Sequence, residues 1–234
     1  AGIVVHTGDF KMDLTPIDGK VMDSQRFAEL GKQGVLALLS DSTNAEKPGY
    51  TISERSVGQT LENYFAEAKG RIIVATFASN IHRVQQIIDV AKSLGRKVAL
   101  SGRSLENVVA ISSELGYLKV PEGVLISIDM IKNYTPDQLV LITTGSQGEP
   151  MSALARMSMS EHRKVMITPN DYVIISAQPI PGNEKTVSKV INELMGLGAE
   201  VVYEKMYDVH VSGHACQEEL KIMLSLVKPK YFIP

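Results

Sequence analysis

A Ser-Gly step separates two histidines in the segment HVSGH, residues 210–214. On a helix, His210 and His214 would share one face and could bind zinc, but Val211 stands where the zinc-protease motif needs a glutamate. The neighbouring valines and the glycine also disfavour a helix. The sequence therefore predicts a strand through His210, Ser212 as a helix cap, and a helix in the residues that follow.

The same turn is a candidate anion site. The first N–H groups of a helix are unpaired and carry partial positive charge. Ser212 adds a hydroxyl, Gly213 lets an oxyanion approach the backbone, and either histidine could donate a hydrogen bond. This pattern is typical of a phosphate or carboxylate cradle, although the histidines could instead bond only to neighbouring carbonyl groups.

Two further polar turns place carboxylates after apolar strands. In HTGDFK (residues 6–11), Asp9 or His6 could bind a metal ion. In SDSTN (residues 40–44), Asp41 could orient a metal-bound histidine. Each acid could equally accept hydrogen bonds only from its own turn.

The whole chain offers few metal ligands of the usual kinds. A zinc site needs three or four N, O or S ligands, and the five histidines are scattered without a His-x-His pair. His82 and His162 lie in helix-like, charged contexts that predict surface positions. The single cysteine, Cys216, excludes an internal disulfide, fits a reducing compartment and is expected to be a buried thiol. By itself, the chain does not show the ligands of a complete metal centre.

Two glycine-bearing turns could also bind anions. TTGSQGEP (residues 143–150) can turn successive N–H groups toward an anion, but it lacks the lysine and spacing of a P-loop. In SGRSLENV (residues 101–108), Ser104 could cap the following helix and Arg103 could contact a phosphate. Anion binding and ordinary turn chemistry both remain open for these segments.

Helical and strand-like segments alternate along the chain, and this predicts an α/β fold. Glycines at the helix ends in SLGRKVAL, ELGYLKV and GLGAEVVY predict a left-handed cap followed by a strand. Near-continuous apolar strands between amphipathic helices predict a doubly wound, mostly parallel sheet covered on both faces. Helices are predicted over residues 23–34, 53–68, 80–95, 104–116 and 183–198, and strands over 2–5, 35–39, 71–77, 97–100, 137–145, 172–178 and 199–204.

In such sheets, functional loops lie beyond the carboxyl ends of the strands. The segments HTGDFK, SDSTN, FASN, TTGSQGEP and HVSGHA occupy that position, and SAQPIPGNE is a possible sixth. We therefore expect these turns to carry the functional groups of the chain.

Composition narrows the function classes. The 234 residues are 44% hydrophobic and 21% charged, with a net charge of −2. This net charge argues against a nucleic-acid-binding surface that is basic throughout, but it leaves open a local groove that holds a few phosphates. Aromatic residues are 6% and tryptophan is absent, which argues against an extended base-stacking platform. No apolar run is long enough to cross a bilayer. Because the chain starts inside a strand-like segment without Met and stops on another, we expect a piece of a longer protein.

The segments VVHTGDFK, LLSDSTNA, TTGSQGEP, SAQPIPGNE and HVSGHA, in this order, resemble the ribonuclease J family. Its members are metallo-β-lactamase-fold nucleases with an inserted β-CASP domain, and the resemblance covers essentially all 234 residues. It implies a doubly wound β-CASP domain inserted into part of an αββα metallo-β-lactamase domain. Residues 53–204 would be the β-CASP domain, and residues 1–52 and 205–234 would be the partial metallo-β-lactamase domain and its return segment.

The resemblance also implies roles for individual residues. Asp9 matches the aspartate that bridges two catalytic zinc ions. Asp41 and His214 match the acid of the first β-CASP motif and the histidine of the second, both catalytic. The segment that would hold RNA phosphate consists of His210, Val211, Ser212, Gly213 and His214.

The chain departs from the family pattern in its metal ligands. The family's His-x-His-x-Asp-His segment and its last metal-ligating histidine are absent from these residues, as is the C-terminal dimerisation domain. The resemblance implies a cytoplasmic, homo-oligomeric zinc ribonuclease that cuts RNA internally and degrades it 5′ to 3′ from a 5′ monophosphate, without a membrane partner. The longer protein would bind two zinc ions. On its own this chain would lack most metal ligands and would be inactive, and its sequence leaves open whether it still binds zinc.

Two alternatives stay open. The chain could be a phosphate or RNA-end binding module without catalysis, as the HVSGH and TTGSQGEP turns suggest. It could also belong to a small-molecule hydrolase of the metallo-β-lactamase superfamily, which the β-CASP-like insert disfavours.

Overall fold

The computed structural model of the protein describes residues 2–203 and 211–234, which form two compact units. Unit 1 contains residues 2–56 and 211–234, and unit 2 contains residues 57–203. The strands are β1 (Ile3–His6), β2 (Val35–Leu39), β3 (Ile72–Ala75), β4 (Lys97–Ser101), β5 (Leu125–Ile126), β6 (Leu139–Thr143), β7 (Tyr172–Ile175), β8 (Glu200–Tyr203) and β9 (Tyr231–Ile233). The α-helices are α1 (Ser24–Gln33), α2 (Arg55–Glu67), α3 (Ile81–Ser93), α4 (Arg103–Glu114), α5 (Ala153–Ser158), α6 (Glu184–Gly196) and α7 (Gln217–Val227).

Unit 1 is built on a three-stranded parallel sheet in the order β1-β2-β9. Its core is a small apolar cluster from the sheet and from α7, formed by Val5, Val35, Leu38, Met223 and Val227. Helix α1 begins as predicted, because the Asp23 carboxylate accepts a hydrogen bond from the Arg26 backbone N–H at 3.0 Å. Because β1 and β2 are parallel neighbours, their carboxyl ends lie side by side at one edge of the sheet.

Unit 2 confirms the predicted doubly wound α/β fold. Its six strands are all parallel, in the order β5-β4-β6-β3-β7-β8. Every residue of β3, β6 and β7 is buried, which explains why these segments are continuous apolar runs instead of alternating ones. From β3 the chain runs outward through β4 to β5, returns to place β6 between β4 and β3, and then adds β7 and β8 on the other side of β3.

The predicted helix ends are also confirmed. Gly95, Gly116 and Gly198 adopt positive φ angles of 69°, 77° and 90°, so each forms the left-handed turn that follows a helix. The sequence patterns missed α5, β5 and two short 3₁₀ helices, Ile128–Asn133 and Pro136–Gln138. These elements are too short to produce a recognisable period.

A buried ion pair joins two segments of unit 2. The Arg71 guanidinium donates from Nε to Asp171 Oδ1 at 2.9 Å and from Nη2 to Asp171 Oδ2 at 2.6 Å. The Asp171 side chain is 1% exposed. The two residues are 100 positions apart, so nothing near either of them in the sequence indicates the pair.

Within the part of the chain that the structure describes, no helix combines the length and apolar character needed to span a bilayer.

Candidate functional site

Three side chains predicted as site residues meet at one edge of unit 1. Asp9 follows β1, Asp41 follows β2, and His214 precedes α7. Each offers a ligand atom, and these atoms lie within 4.8 Å of one another. Asp9 is exposed, whereas the other two residues are half-buried. The adjacency of the parallel strands β1 and β2 brings the two carboxylates together.

Asp41 and His214 form a hydrogen-bonded pair. His214 Nδ1 lies 2.9 Å from Asp41 Oδ2, and the Asp41 side chain is only 2% exposed. Burial raises the pKa of Asp41, but hydrogen bonds from the Thr43 backbone, the His214 ring and the Thr43 hydroxyl outweigh it and hold that pKa below its usual value. An anionic Asp41 fixes the proton on Nδ1 and leaves Nε2 of the ring for a ligand.

Residues distant in sequence hold the turn that carries His214. The buried Asn44 side chain donates from Nδ2 to Ser212 Oγ at 2.8 Å and to the His214 carbonyl at 3.1 Å. The Thr51 hydroxyl donates to the same carbonyl at 2.8 Å. The His214 backbone N–H donates to Ser212 Oγ at 3.1 Å, which closes a serine turn.

The predicted cap role of Ser212 is therefore wrong. Helix α7 begins at Gln217, and Cys216, buried as predicted, is its N-cap. The Gln217 and Glu218 N–H groups donate to the carbonyls of Lys47 and Gly49 at 2.9 and 3.1 Å. Because protein acceptors take up these N–H groups, the N-terminus of α7 is not free to bind an anion, and the preceding turn is the remaining candidate.

The remaining residues of the HVSGH segment differ in what they can offer. The Val211 side chain is buried at 9% exposure, so only its backbone can reach a ligand. Among the described residues, its two chain neighbours apart, none places a heavy atom within 4 Å of the position that a Cβ on Gly213 would take. His210 lies outside the described residues. His6, the alternative metal ligand to Asp9, accepts a hydrogen bond at Nδ1 from the Gly8 backbone at 2.9 Å.

One buried carboxylate ties together the three segments that carry the site residues. Glu219 is fully buried; its Oε1 accepts from the Met12 N–H at 2.7 Å, and its Oε2 accepts from the Thr51 and Cys216 N–H groups at 2.7 and 2.8 Å. Met12 follows Asp9, Thr51 follows Asp41, and Cys216 follows His214. Sequence reasoning missed Glu219; the only local signal is its place three residues after the N-cap.

Hydrogen bonding also sets the charge state of Glu219. Burial raises the pKa of this carboxyl, but the donors from Cys216, Met12 and Thr51 outweigh it and hold the pKa below its usual value. The pKa of Asp13, in the same unit, is lowered in the same way: burial raises it, and donors from Thr15, Ser53 and Glu54 overcome that effect.

Acid is expected to destabilise the chain through these carboxylates. A folded-state pKa below the unfolded one means that the unfolded chain takes up protons first as pH falls. Their stabilisation is therefore complete above the ordinary carboxyl range and is lost progressively below about pH 4. We expect urea unfolding at pH 3, 4, 5 and 7, in the presence of a chelator, to give the lowest stability at pH 3.

A matched pair of variants assigns the effect. Glu219→Gln should make the free energy of unfolding fall less steeply between pH 5 and pH 3. Glu46→Gln, at an exposed carboxylate of unit 1, should leave this pH dependence unchanged. An identical pH dependence in both variants would show that Glu219 does not contribute.

The other predicted turns lie in unit 2. The buried Gln147 side chain of TTGSQGEP donates to the Gln178 carbonyl at 2.9 Å and accepts from the Ile180 N–H at 2.7 Å. These two hydrogen bonds hold the SAQPIPGNE segment against the TTGSQGEP turn. In SGRSLENV, Ser104 does not cap the helix: α4 starts at Arg103, and its N-cap is Gly102, which has no side chain to offer.

The donor set of unit 1 fits a zinc ion. Two carboxylates and one imidazole within 4.8 Å provide the oxygen and nitrogen ligands that zinc accepts. The Asp9 carboxylate makes no hydrogen bond or ion pair with any residue that the structure describes, so its oxygens are available. Asp9 would be the direct ligand, with the Asp41–His214 pair beside it.

Comparisons with known proteins identify the family to which the chain is similar. Residues 69–194 match the family described as "Ribonuclease J, beta-CASP domain", and residues 198–234 match the one described as "Zn-dependent metallo-hydrolase RNA specificity domain". Over 233 residues the chain is 51% identical to a protein named Ribonuclease J from Thermus thermophilus and 46% identical to Ribonuclease J2 from Bacillus subtilis. Both matches cover 100% of this chain, but it spans only 40% and 42% of the two relatives.

Proposed function

Because the chain belongs to the ribonuclease J family, we propose that it supplies part of the active site of a zinc-dependent ribonuclease. The observation that carries the proposal is the cluster of Asp9, Asp41 and His214, whose ligand atoms lie within 4.8 Å of one another. The chain spans less than half of its relatives, so the remaining metal ligands would come from segments outside these 234 residues.

The side chains divide the chemistry between them. Asp9 would hold a metal ion, which when bound supplies Lewis acidity toward a phosphodiester and its attacking water. Asp41 accepts the Nδ1 proton of His214 and fixes the orientation of the ring. When the ring takes up a second proton, its Nε2–H can donate to a phosphate oxygen or to the leaving oxygen, and the Asp41 carboxylate balances the added charge.

The substrate would be RNA, held through its phosphates. The turn of Ser212, Gly213 and His214 offers a hydroxyl, open backbone and a ring nitrogen, and His210 and Val211 belong to the same segment. Within the longer protein we propose two zinc ions, internal cleavage together with 5′-to-3′ degradation from a 5′ monophosphate, a homo-oligomeric assembly and a cytoplasmic location. The family membership supports these finer statements, and the donor set of unit 1 supports only the binding of zinc.

A second candidate is RNA-end binding without catalysis. It is favoured by the small number of metal ligands in the chain, since the cluster has only three members among the described residues. The two candidates make different predictions once the missing ligands are supplied.

The Thermus thermophilus relative provides the missing segments for a test. We propose a chimera in which this chain replaces the 233 matching residues of that protein. With zinc, the chimera should cleave RNA, and Asp41→Asn or His214→Ala should lower kcat by about 10²–10⁴ because each removes part of the proton-handling pair. The measurement is the release of product from end-labelled RNA carrying a 5′ monophosphate or a 5′ hydroxyl.

Controls separate the outcomes. Glu46→Gln, at an exposed carboxylate, should leave kcat unchanged, and the 234-residue chain alone should give no turnover. A folded, zinc-loaded chimera that binds but does not cleave RNA would favour the binding module. Turnover by the chain alone at the rate of the chimera would contradict a divided active site.

A further inference from the structure

A basic cavity in unit 2 is not used by the site described above. It lies at the carboxyl end of β4, has a volume of about 260 Å³, and is lined by residues of β4, α4, α5 and the segment after α5. Its polar lining includes Ser101, Arg103, Arg156, His162, Arg163 and Lys164. We propose that this cavity binds a phosphate group of an RNA strand.

Uncompensated positive charge is the first support. The lining contains three arginines and one lysine, but only one acid, Glu106. Lys164 is paired with Asp129 at 2.7 Å. Arg103 and Arg163 form no ion pair with any residue that the structure describes, so their guanidinium groups remain available. Guanidinium groups bind phosphate oxygens with paired hydrogen bonds.

Ser101 provides an independent indication of a ligand. Its side chain is buried at 4% exposure, and its Oγ lies 3.1 Å from His162 Nε2. His162 Nδ1 accepts from the backbone N–H groups of Lys164 and Val165 at 3.3 and 3.1 Å, so in the neutral ring Nε2 carries the proton and donates to Ser101. The Ser101 hydroxyl proton then has no acceptor among the described residues and can point into the cavity.

The environment favours that neutral form of His162. Burial lowers its pKa, and the nearby charges of Arg156 and Lys164 lower it further. His162 was predicted to be an ordinary surface residue of a helix; instead it lies after α5, half-buried, and fixes the orientation of Ser101.

The backbone of α4 adds donors to the same cavity. Gly102, the N-cap, has φ +135° and no side chain, so the cap residue itself accepts no hydrogen bond from the first N–H groups of this twelve-residue helix. A Cβ on Gly102 would lie 2.6 Å from Thr144 Oγ1, which rules out the serine or aspartate that usually occupies a cap.

The shape favours a phosphate within a nucleic-acid strand over a free anion. The cavity is larger than a phosphate group, and Leu100 and Ile128 contribute apolar walls against which a ribose or a base can pack. The proposal rests on the proposed RNA substrate and assigns it a second contact point, separate from the cluster of Asp9, Asp41 and His214.

Salt dependence gives a direct test. For single strands, each neutralised phosphate contributes about 0.7 to the slope of log affinity against log salt concentration. We expect Arg103→Ala and Arg163→Ala each to reduce the slope by up to about 0.7, measured by anisotropy of the 234-residue chain with a fluorescent oligoribonucleotide. Ser101→Ala should weaken binding about fivefold without changing the slope, since it removes a neutral donor.

Lys92→Ala serves as the matched control, because this exposed cation on the last turn of α3 is not part of the lining. Unchanged slopes in both arginine variants, with RNA binding intact, would overturn this inference and leave the proposed function standing. Failure of the unmodified chain to bind RNA would count against the proposed function itself. Inorganic phosphate can be added as a competitor in the same assay. If the arginine variants no longer respond to phosphate but still bind RNA with normal affinity, the cavity binds free phosphate, and the assignment to an RNA strand is overturned.

Discussion

Replacing Glu219 with alanine should lower the free energy of unfolding by about 3–5 kcal/mol. The substitution leaves three N–H groups without their acceptor: that of Cys216, which is buried, and those of Met12 and Thr51, which are partly buried. A fully buried unpaired donor costs about 1–3 kcal/mol, and a partly buried one costs less because water can reach it. Urea unfolding followed by circular dichroism should show a lower midpoint with an unchanged slope. Zinc affinity, measured by competition with a chromophoric chelator, should also fall.

A core substitution on the same helix distinguishes lost stability from lost positioning. Met223 is 1% exposed and packs in the apolar core of unit 1, so Met223→Ala should cost about 2–5 kcal/mol. This variant should keep its zinc affinity under conditions where it remains folded. Equal losses of affinity in the two variants would contradict the idea that Glu219 specifically gathers the segments bearing Asp9, Asp41 and His214.

Removing Asp171 should have an effect of similar size in unit 2. Asp171→Ala leaves the Arg71 guanidinium, whose side chain is 12% exposed, without its carboxylate and also removes the acceptor for the Thr168 N–H. Breaking a buried pair by deleting one partner costs about 3–5 kcal/mol, because the surviving charge stays desolvated. Thermal and urea unfolding should both report this loss.

The exposed pair of Lys164 and Asp129 provides the comparison. Its side chains are 45% and 67% exposed, so Asp129→Ala should change stability by no more than about 1 kcal/mol. If Asp129→Ala and Asp171→Ala destabilised the chain equally, burial would not be what gives the Arg71–Asp171 pair its strength.

Local patterns were sufficient to predict the framework of unit 2. Apolar runs such as those of β3 and β7 predict buried parallel strands, and glycines such as Gly95 and Gly198 predict the helix ends that the structure has. The rule that polar turns follow the carboxyl ends of parallel strands identified Asp9 and Asp41. These features depend on residues close in sequence, which is why the sequence could reveal them.

Contacts between distant residues were not predictable in the same way. Asn44 reaches Ser212 across 168 positions, and Glu219 reaches Met12 across 207. Nothing near Asn44 or Glu219 in the sequence indicates those partners. The start of α7 was misplaced for the same reason: Lys47 and Gly49 accept its first N–H groups, which makes Cys216 the cap instead of Ser212.

The position of β3 has a consequence for how the chain folds. This strand is the first of its sheet to be synthesised, yet Ile72 pairs with Val140 and Tyr172, about 70 and 100 residues later. At about 5–20 residues per second, a ribosome needs several seconds to deliver those neighbours. During that interval an apolar segment waits without its pairing partners, and the late arrival of β6 and β7 makes this a slow, high-contact-order topology that is vulnerable to aggregation while it is incomplete.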